Sequence, residues 1–231
     1  MNIKTRDLPS WYSRKCKSVM IACSAIILSL THFSSSAAQI ERQNLVQLIE
    51  SSEQIVAGVI TNVTDGFDAN NLPYTEVTMS VGRKIKGKKN GKKFDDQQGE
   101  TITFKQFGLI KPRKLSNGKT LLMTTPQGWS TYGKGERVML FLHKPASMTG
   151  LQTTAGLSQG KLSYVNGQLT NSYENKGLFE KLSVSAANLT PEQQAMIAGT
   201  SAKFNSQALT QLVERAVAEG WIENGVMRNE K

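Results

Sequence analysis

The sequence predicts a mostly β protein, an antiparallel barrel or sandwich with a short N-terminal helix and C-terminal helices. Short strand patterns follow one another with turn residues between them, which is typical of antiparallel barrels and sandwiches. Asn166-Gly167 separates two such patterns, and this pair is the strongest two-residue hairpin signal. Helical spacing of apolar residues is confined to both ends of the predicted mature chain. We therefore assign residues 39–175 to the barrel and 176–231 to a helical segment packed on it.

Residues 1–38 have the features of a secretory signal peptide. Five bases and one acid precede the apolar run 19–30. That run has about 12 residues, whereas a membrane-spanning helix needs roughly 20. The small residues Ser36, Ala37 and Ala38 then predict cleavage before Gln39. We expect export to the periplasm or the medium, with no stable membrane span after cleavage; an uncleaved anchor is the alternative.

Both cysteines, Cys16 and Cys23, lie within the predicted signal peptide. The mature chain would then have no disulfide, no thiol nucleophile and no thiolate metal ligand. Small exported eukaryotic domains usually carry disulfides, so this composition favours a bacterial protein with a substantial hydrophobic core. With His143 as the one histidine of the mature chain, we expect no zinc site and no cofactor.

The strand patterns can be placed in order along the chain. Residues 54–63 are apolar on both alternating faces, which predicts a strand covered on both sides. A polar turn is predicted at 64–73, followed by the clearest alternating strand pattern at 74–85. The remaining predicted strands are 99–107, 135–143, a weaker candidate at 149–157, and the hairpin 160–165 with 168–171.

Three helices are predicted. Leu45, Leu48 and Ile49 suggest a short helix before the first strand. Thr190-Pro191 provides an N-cap and a proline at the first helical position, with Gly199 as the stop. From Ser206 to Gly220 a single apolar stripe recurs at helical spacing. We interpret this helix as packed on the barrel; a partner-binding helix is the alternative.

Positive charge is concentrated in one part of the chain. The net charge is +10, and residues 83–119 hold twelve bases against three acids. Gly87 and Asn90-Gly91 predict that the densest stretch, 83–93, is a loop, and residues 108–120 read as a second basic loop. The stretch is a candidate polyanion site, although a solvated loop would have the same composition. Its candidate residues are Arg83, Lys84, Lys86, Lys88, Lys89, Lys92 and Lys93.

Trp129 and Tyr132 stand in irregular surroundings between two predicted strands. They are candidate partner-binding residues, because aromatic side chains in loops can line a groove. Aromatic residues at such positions more often cover the end of a barrel core, and we favour that interpretation.

A serine hydrolase is a remote alternative. Residues 156–160 match the nucleophile-elbow pattern, which would make Ser158 the nucleophile and His143 the base. The elbow requires a strand before the serine and a helix after it, but residues 161–165 have a strand pattern. We therefore expect a protein that is not an enzyme and has no catalytic residues.

The order of these patterns resembles a group of exported bacterial proteins of unknown function, whose barrel is similar to that of netrin-type modules and tissue inhibitors of metalloproteinases. The resemblance covers residues 40–165, and its motifs are the stretches 55–59, 74–78, 86–87, 99–102, 135–142, 150–152 and 159–161. It implies an OB-like barrel. The inhibitors bind zinc proteases through an N-terminal cysteine, whereas Gln39 would begin this chain, so the inhibitory mechanism does not carry over.

The sequence as a whole predicts an exported, non-enzymatic binding or accessory module. A protein partner, such as a secreted protease, is the first expectation. The alternative is a polyanion, either nucleic acid, lipopolysaccharide or another anionic surface, bound through residues 83–93.

Overall fold

The structure, a computed structural model, describes residues 41–89, 92–93, 100–199 and 204–230. The predicted signal peptide and both cysteines lie outside these residues. The described part is mostly β, built around one antiparallel sheet of seven strands. No helix in the described part is both long and apolar enough to cross a membrane.

Five strands of this sheet match predicted strands. They are β1 (Gln54–Phe67), β2 (Pro73–Lys86), β5 (Glu100–Phe107), β8 (Arg137–Leu142) and β9 (Lys161–Val165). The two longest, β1 and β2, have fourteen residues each and share a long antiparallel register. Asn166-Gly167 joins β9 to β10 (Gln168–Thr170), as the hairpin signal predicted.

Three short two-stranded ladders lie outside the seven-stranded sheet. They pair β3 (Lys88–Lys89) with β4 (Lys92–Lys93), β6 (Arg113–Lys114) with β7 (Thr120–Leu121), and β11 (Leu182–Val184) with β13 (Met227–Asn229). The edge strand β12 (Phe204–Asn205) pairs with β10, so the strands follow one another across the sheet in the order β12-β10-β9-β8-β1-β2-β5. The ladders β3–β4 and β6–β7 lie in stretches that were predicted to be loops, because two-residue strands leave no alternating pattern. Strands β11, β12 and β13 were not predicted either, so residues 176–231 contribute strands as well as helices.

Both faces of the sheet are covered, as the apolar pattern of residues 54–63 predicted. One hydrophobic cluster contains Ile55, Met139 and Phe141 together with apolar residues of the helices. The other cluster contains Val56 and Leu140 with residues of β2 and β5. Neighbouring residues of β1 and β8 therefore enter different cores.

The predicted helices are present as α1 (Leu45–Ser51), α2 (Pro191–Ala198) and α3 (Ser206–Ala218). Asn44 caps α1 and Thr190 caps α2, each in a capping box with a glutamine three residues later. Leu209, Leu212 and Val213 of α3 are fully buried in the first cluster. The apolar stripe of α3 therefore packs against the sheet, as interpreted from the sequence.

Two sequence predictions are corrected. β1 continues to Phe67, so the turn predicted at 64–73 contracts to residues 68–72, where Asp68 caps a tight turn through its side chain. Residues 149–157 form only a single bridge, between Leu142 and Thr154, and a 3₁₀ turn at Leu157–Gly160. The strand ladders of the described residues do not close into a barrel.

Candidate functional site

The predicted basic stretch divides into two parts. Arg83, Lys84 and Lys86 belong to β2 and contact the body of the protein. Arg83 pairs with Glu214 of α3 at 2.9 Å, and Lys84 pairs with Glu100 of β5 at 3.1 Å. Arg83 and Lys84 belong to the strand predicted at 74–85, although the stretch 83–93 as a whole was predicted to be a loop; the long register between β1 and β2 holds these two residues and Lys86 in the sheet.

Lys86 is the most constrained of the three. Its Nζ donates a hydrogen bond of 2.6 Å to the carbonyl oxygen of Ile49 near the end of α1. Burial lowers the pKa of Lys86, and the nearby carboxylates of Glu223, Glu53 and Glu50 oppose that effect. Lys86 therefore links β2 to α1, and this hydrogen bond leaves its side chain little freedom to reach a ligand.

The other four candidates form a two-residue extension beyond β2. The register of β3 and β4 places Lys88 opposite Lys93 and Lys89 opposite Lys92. We call these four residues the lysine ladder. Like-charged residues directly opposite one another destabilise a ladder, unless an anion neutralises them. Four bases are thus brought together on two adjacent short strands.

A cleft lies beside Arg83 on the face of the sheet that α3 covers. Its volume is about 380 Å³, within the range of small-ligand sites. Ala57, Gly58 and Val59 of β1 form one part of it, and the first turn of α3 forms another. Tyr164 and Arg137 complete the wall, and because Glu214 pairs with Arg83, the positive charge of the cleft comes mainly from Arg137.

A bulge between β1 and β2 shapes this cleft. The register shifts between Ala57 and Gly58, where Gly82 of β2 is the extra residue, so β2 bends at this point. A Cβ at Gly58 would lie 2.1 Å from the carbonyl oxygen of Ser80, so only glycine allows the two backbones to approach this closely. Val59 beyond the bulge is left 37% exposed and lines the cleft.

Arg137 is the functional candidate that sequence reasoning missed. Its guanidinium lies 5.3 Å from the ring centre of Tyr164, and the Tyr164 hydroxyl lies 3.2 Å from the Thr210 hydroxyl. Among the described residues Arg137 forms no ion pair, whereas Arg83 already pairs with Glu214. Nothing in the local sequence marks Arg137, because its neighbours in the cleft come from distant parts of the chain.

Tyr132 packs over one end of the second hydrophobic cluster. Its ring meets Phe104 edge to face at 5.5 Å, and the Nζ of Lys161 lies 5.1 Å from the ring centre. Its hydroxyl is buried beside Ser130 and Thr154, and burial raises the pKa of the phenol. This geometry fits a lid over the core. Trp129 is half-buried in the adjacent turn.

Ser158 and His143 make separate contacts. The backbone N–H of Ser158 donates to the carbonyl oxygen of Gly128, and Nδ1 of His143 lies 2.9 Å from the carbonyl oxygen of Ser51. Ser158 lies in the 3₁₀ turn, which leads directly into β9. The strand-to-helix context of a nucleophile elbow is absent here.

In the described part of the chain, no three histidine, cysteine or acidic side chains are grouped as a metal site would require. Comparison with known proteins found no matching family model, no similar curated protein and no similar solved structure. A protein partner, such as a secreted protease, stays a prediction from the sequence.

Proposed function

We propose that this chain is an exported, non-enzymatic binding module that holds an extended anionic polymer. The observation that carries the proposal is the register of the lysine ladder, which opposes Lys88 to Lys93 and Lys89 to Lys92. An anion bound beside either pair relieves the repulsion between its two opposed charges. Binding of this kind depends on charge rather than on base or sugar identity.

The cleft lies farther back along β2. Lys88 follows Arg83 by five residues, which is about 16 Å in an extended strand. A polymer of several anionic units is long enough to span both places. Arg137 supplies a planar set of donors for one anionic group in the cleft, and its contact with the Tyr164 ring at 5.3 Å helps to position the guanidinium.

We also propose that the sheet is the wall of an OB-like barrel. The backbone N–H of Gln152 donates to Lys105 of β5 at 2.7 Å. The next residues bond to β8 and to the residue that follows it. The backbone N–H of His143 donates to the carbonyl oxygen of Thr153 at 2.9 Å, and that of Ala155 donates to the carbonyl oxygen of Phe141 at 2.7 Å. Residues 152–155 therefore connect β5 with β8, the two strands that must be joined to close a five-stranded Greek-key barrel.

The test is the salt dependence of binding to labelled heparin oligosaccharides and to single-stranded DNA, measured by fluorescence anisotropy. The tip variant carries Lys88→Gln, Lys89→Gln, Lys92→Gln and Lys93→Gln. Each lost contact reduces the magnitude of the negative slope of log K against log salt by about 0.7 for single strands. We expect the magnitude of the slope for DNA to fall by roughly 2 to 3 and the affinity at low salt to fall at least about tenfold.

The matched control removes the same charge at exposed lysines elsewhere, with Lys134→Gln, Lys144→Gln, Lys176→Gln and Lys181→Gln. We expect this control to leave the slope nearly unchanged. Equal losses in both variants would mean that net charge alone drives binding. An unchanged slope in the tip variant would also overturn the proposal.

A further inference from the structure

The segment between residues 110 and 123, here called the 110–123 hairpin, exposes an unusual number of large apolar side chains. Seven exposed large hydrophobic residues occur among the described residues, and four of them belong to this hairpin. They are Ile110 (53% exposed), Leu115 (40%), Leu122 (72%) and Met123 (41%). Single exposed apolar residues need no explanation, but a group of four on one hairpin marks an interaction surface.

The same hairpin is strongly basic. Lys111, Arg113, Lys114 and Lys119 lie within it, and no acidic residue occurs between positions 109 and 125. The three lysines are exposed. Apolar and basic side chains are therefore interleaved along the segment. This combination is the one that interfacial membrane-binding elements use, with apolar groups in the lipid and bases at the headgroups.

The base of the hairpin is firmly held. Leu109 is fully buried, and its backbone N–H donates to the carbonyl oxygen of Met123 at 2.9 Å. Thr125 donates in return to Leu109 at 3.0 Å. A Cβ at Gly108, which has a φ of 102°, would lie 2.5 Å from the backbone of Thr125. The two arms leave the body at a fixed point.

The far end of the hairpin is also ordered by the backbone. Arg113 and Lys114 pair with Leu121 and Thr120 in the β6–β7 ladder. Leu115 donates to the carbonyl oxygen of Lys119 at 2.8 Å, and Gly118 donates to that of Leu115 at 3.0 Å. The hairpin is therefore closed at both ends, so its apolar residues stay outside the core.

We propose that the 110–123 hairpin docks on an anionic lipid surface, inserting Leu122, Met123 and their apolar neighbours between headgroups that its bases neutralise. Charge complementarity selects this occupant, because Lys111, Lys114 and Lys119 are exposed and the hairpin itself contains no acid, while Arg113 pairs with Asp65. The apolar residues lie on both arms of the hairpin. This proposal concerns different residues from the lysine ladder and the cleft.

The test is cosedimentation with vesicles of phosphatidylglycerol and phosphatidylcholine, compared with vesicles of phosphatidylcholine alone. The insertion variant carries Leu122→Ser and Met123→Ser, which keep every charge. We expect it to bind anionic vesicles at least about tenfold more weakly, because two apolar side chains no longer leave water. Heparin binding by this variant should equal that of the unaltered protein.

Two further variants separate the contributions. The control Met148→Ser with Val165→Ser removes two exposed apolar residues elsewhere and should leave vesicle binding unchanged. The variant Lys111→Gln, Lys114→Gln and Lys119→Gln should lose most of the preference for anionic over neutral vesicles. Adding Leu122→Ser and Met123→Ser to the tip variant, whose lysine ladder is neutralised, should weaken its binding to anionic vesicles by the same factor as in the unaltered protein.

Three results would overturn the proposal. The first is failure of the unaltered protein to bind anionic vesicles. The second is vesicle binding by the insertion variant that equals that of the unaltered protein. The third is a concentration-dependent dimer that the insertion variant abolishes, because a second copy of the chain would then cover this surface.

Discussion

The carboxylate of Asp65 lies 2.5 Å from the guanidinium of Arg113 and ties the end of β1 to the 110–123 hairpin. The same carboxylate accepts a 2.9 Å hydrogen bond from the backbone N–H of Ile110. Arg113 also lies 5.2 Å from the ring centre of Phe67. One side chain of β1 thereby fixes both the first residue of the hairpin and the start of its ladder.

Replacing Asp65 with Ala should lower the free energy of unfolding by about 1 to 3 kcal/mol, because two charge-assisted hydrogen bonds are lost together. Urea denaturation followed by circular dichroism measures this change. Glu76→Gln, which breaks the exposed pair with Lys105, is the control and should have a smaller effect. Equal midpoints for Asp65→Ala and the unaltered protein would show that Asp65 does not fix the hairpin.

Gly58 and Gly82 form a matched pair across the bulge that shapes the cleft. Gly58→Ala should cost at least about 2 kcal/mol, since its Cβ would meet the Ser80 carbonyl oxygen at 2.1 Å. Gly82→Ala should be neutral or slightly stabilising, because its nearest new neighbour lies at 3.8 Å. Denaturant midpoints measure the stability of the two variants, and an equal loss of unfolding free energy at both positions would argue against the described bulge.

The local patterns of the sequence predicted the central strands and the three helices well. Alternation in β2 and the cap at Thr190 are properties of neighbouring residues, so they can be read without knowing the fold. The end of β1 was misplaced because Asp65 and Gly66 resemble turn residues. In the structure Gly66 pairs with Tyr74, and the partner strand overrides the local preference.

The functional surfaces were harder to predict, because they depend on contacts between distant residues. The basic stretch was visible as composition, but composition did not separate the anchored Lys86 from the lysine ladder. Arg137 became a candidate only when the fold placed it against Tyr164. Leu122 reads as an ordinary apolar residue in sequence, and only its 72% exposure sets it apart.

Substitution of Arg137 tests whether the cleft contributes to anion binding. Arg137→Gln should weaken binding of an anionic oligosaccharide about tenfold, which corresponds to the loss of one charge-assisted hydrogen-bonding group. Arg228→Gln removes the same charge from an exposed position on β13 and should change affinity far less. Anisotropy titrations compare the two, and indistinguishable dissociation constants would exclude a role for the cleft.

Lys86 predicts a specific pH dependence of stability. Burial lowers its pKa in the folded chain below 10.5, so the unfolded chain binds more protons in the window just below that pH. Raising the pH through this window therefore favours the folded state. Compared with Lys86→Gln, the unaltered protein should gain stability as the pH rises toward 10.5. Parallel curves of unfolding free energy against pH for the two proteins would contradict this expectation.

The most direct measurement of the central claim is a map of backbone amide chemical shifts during titration with a heparin oligosaccharide. We predict that the largest changes fall on residues 88–93, with a second group at Arg83, Arg137 and the first turn of α3. The 110–123 hairpin should respond little to this soluble ligand. Changes confined to that hairpin, or no localised changes at all, would contradict binding of an anionic polymer by the lysine ladder and the cleft.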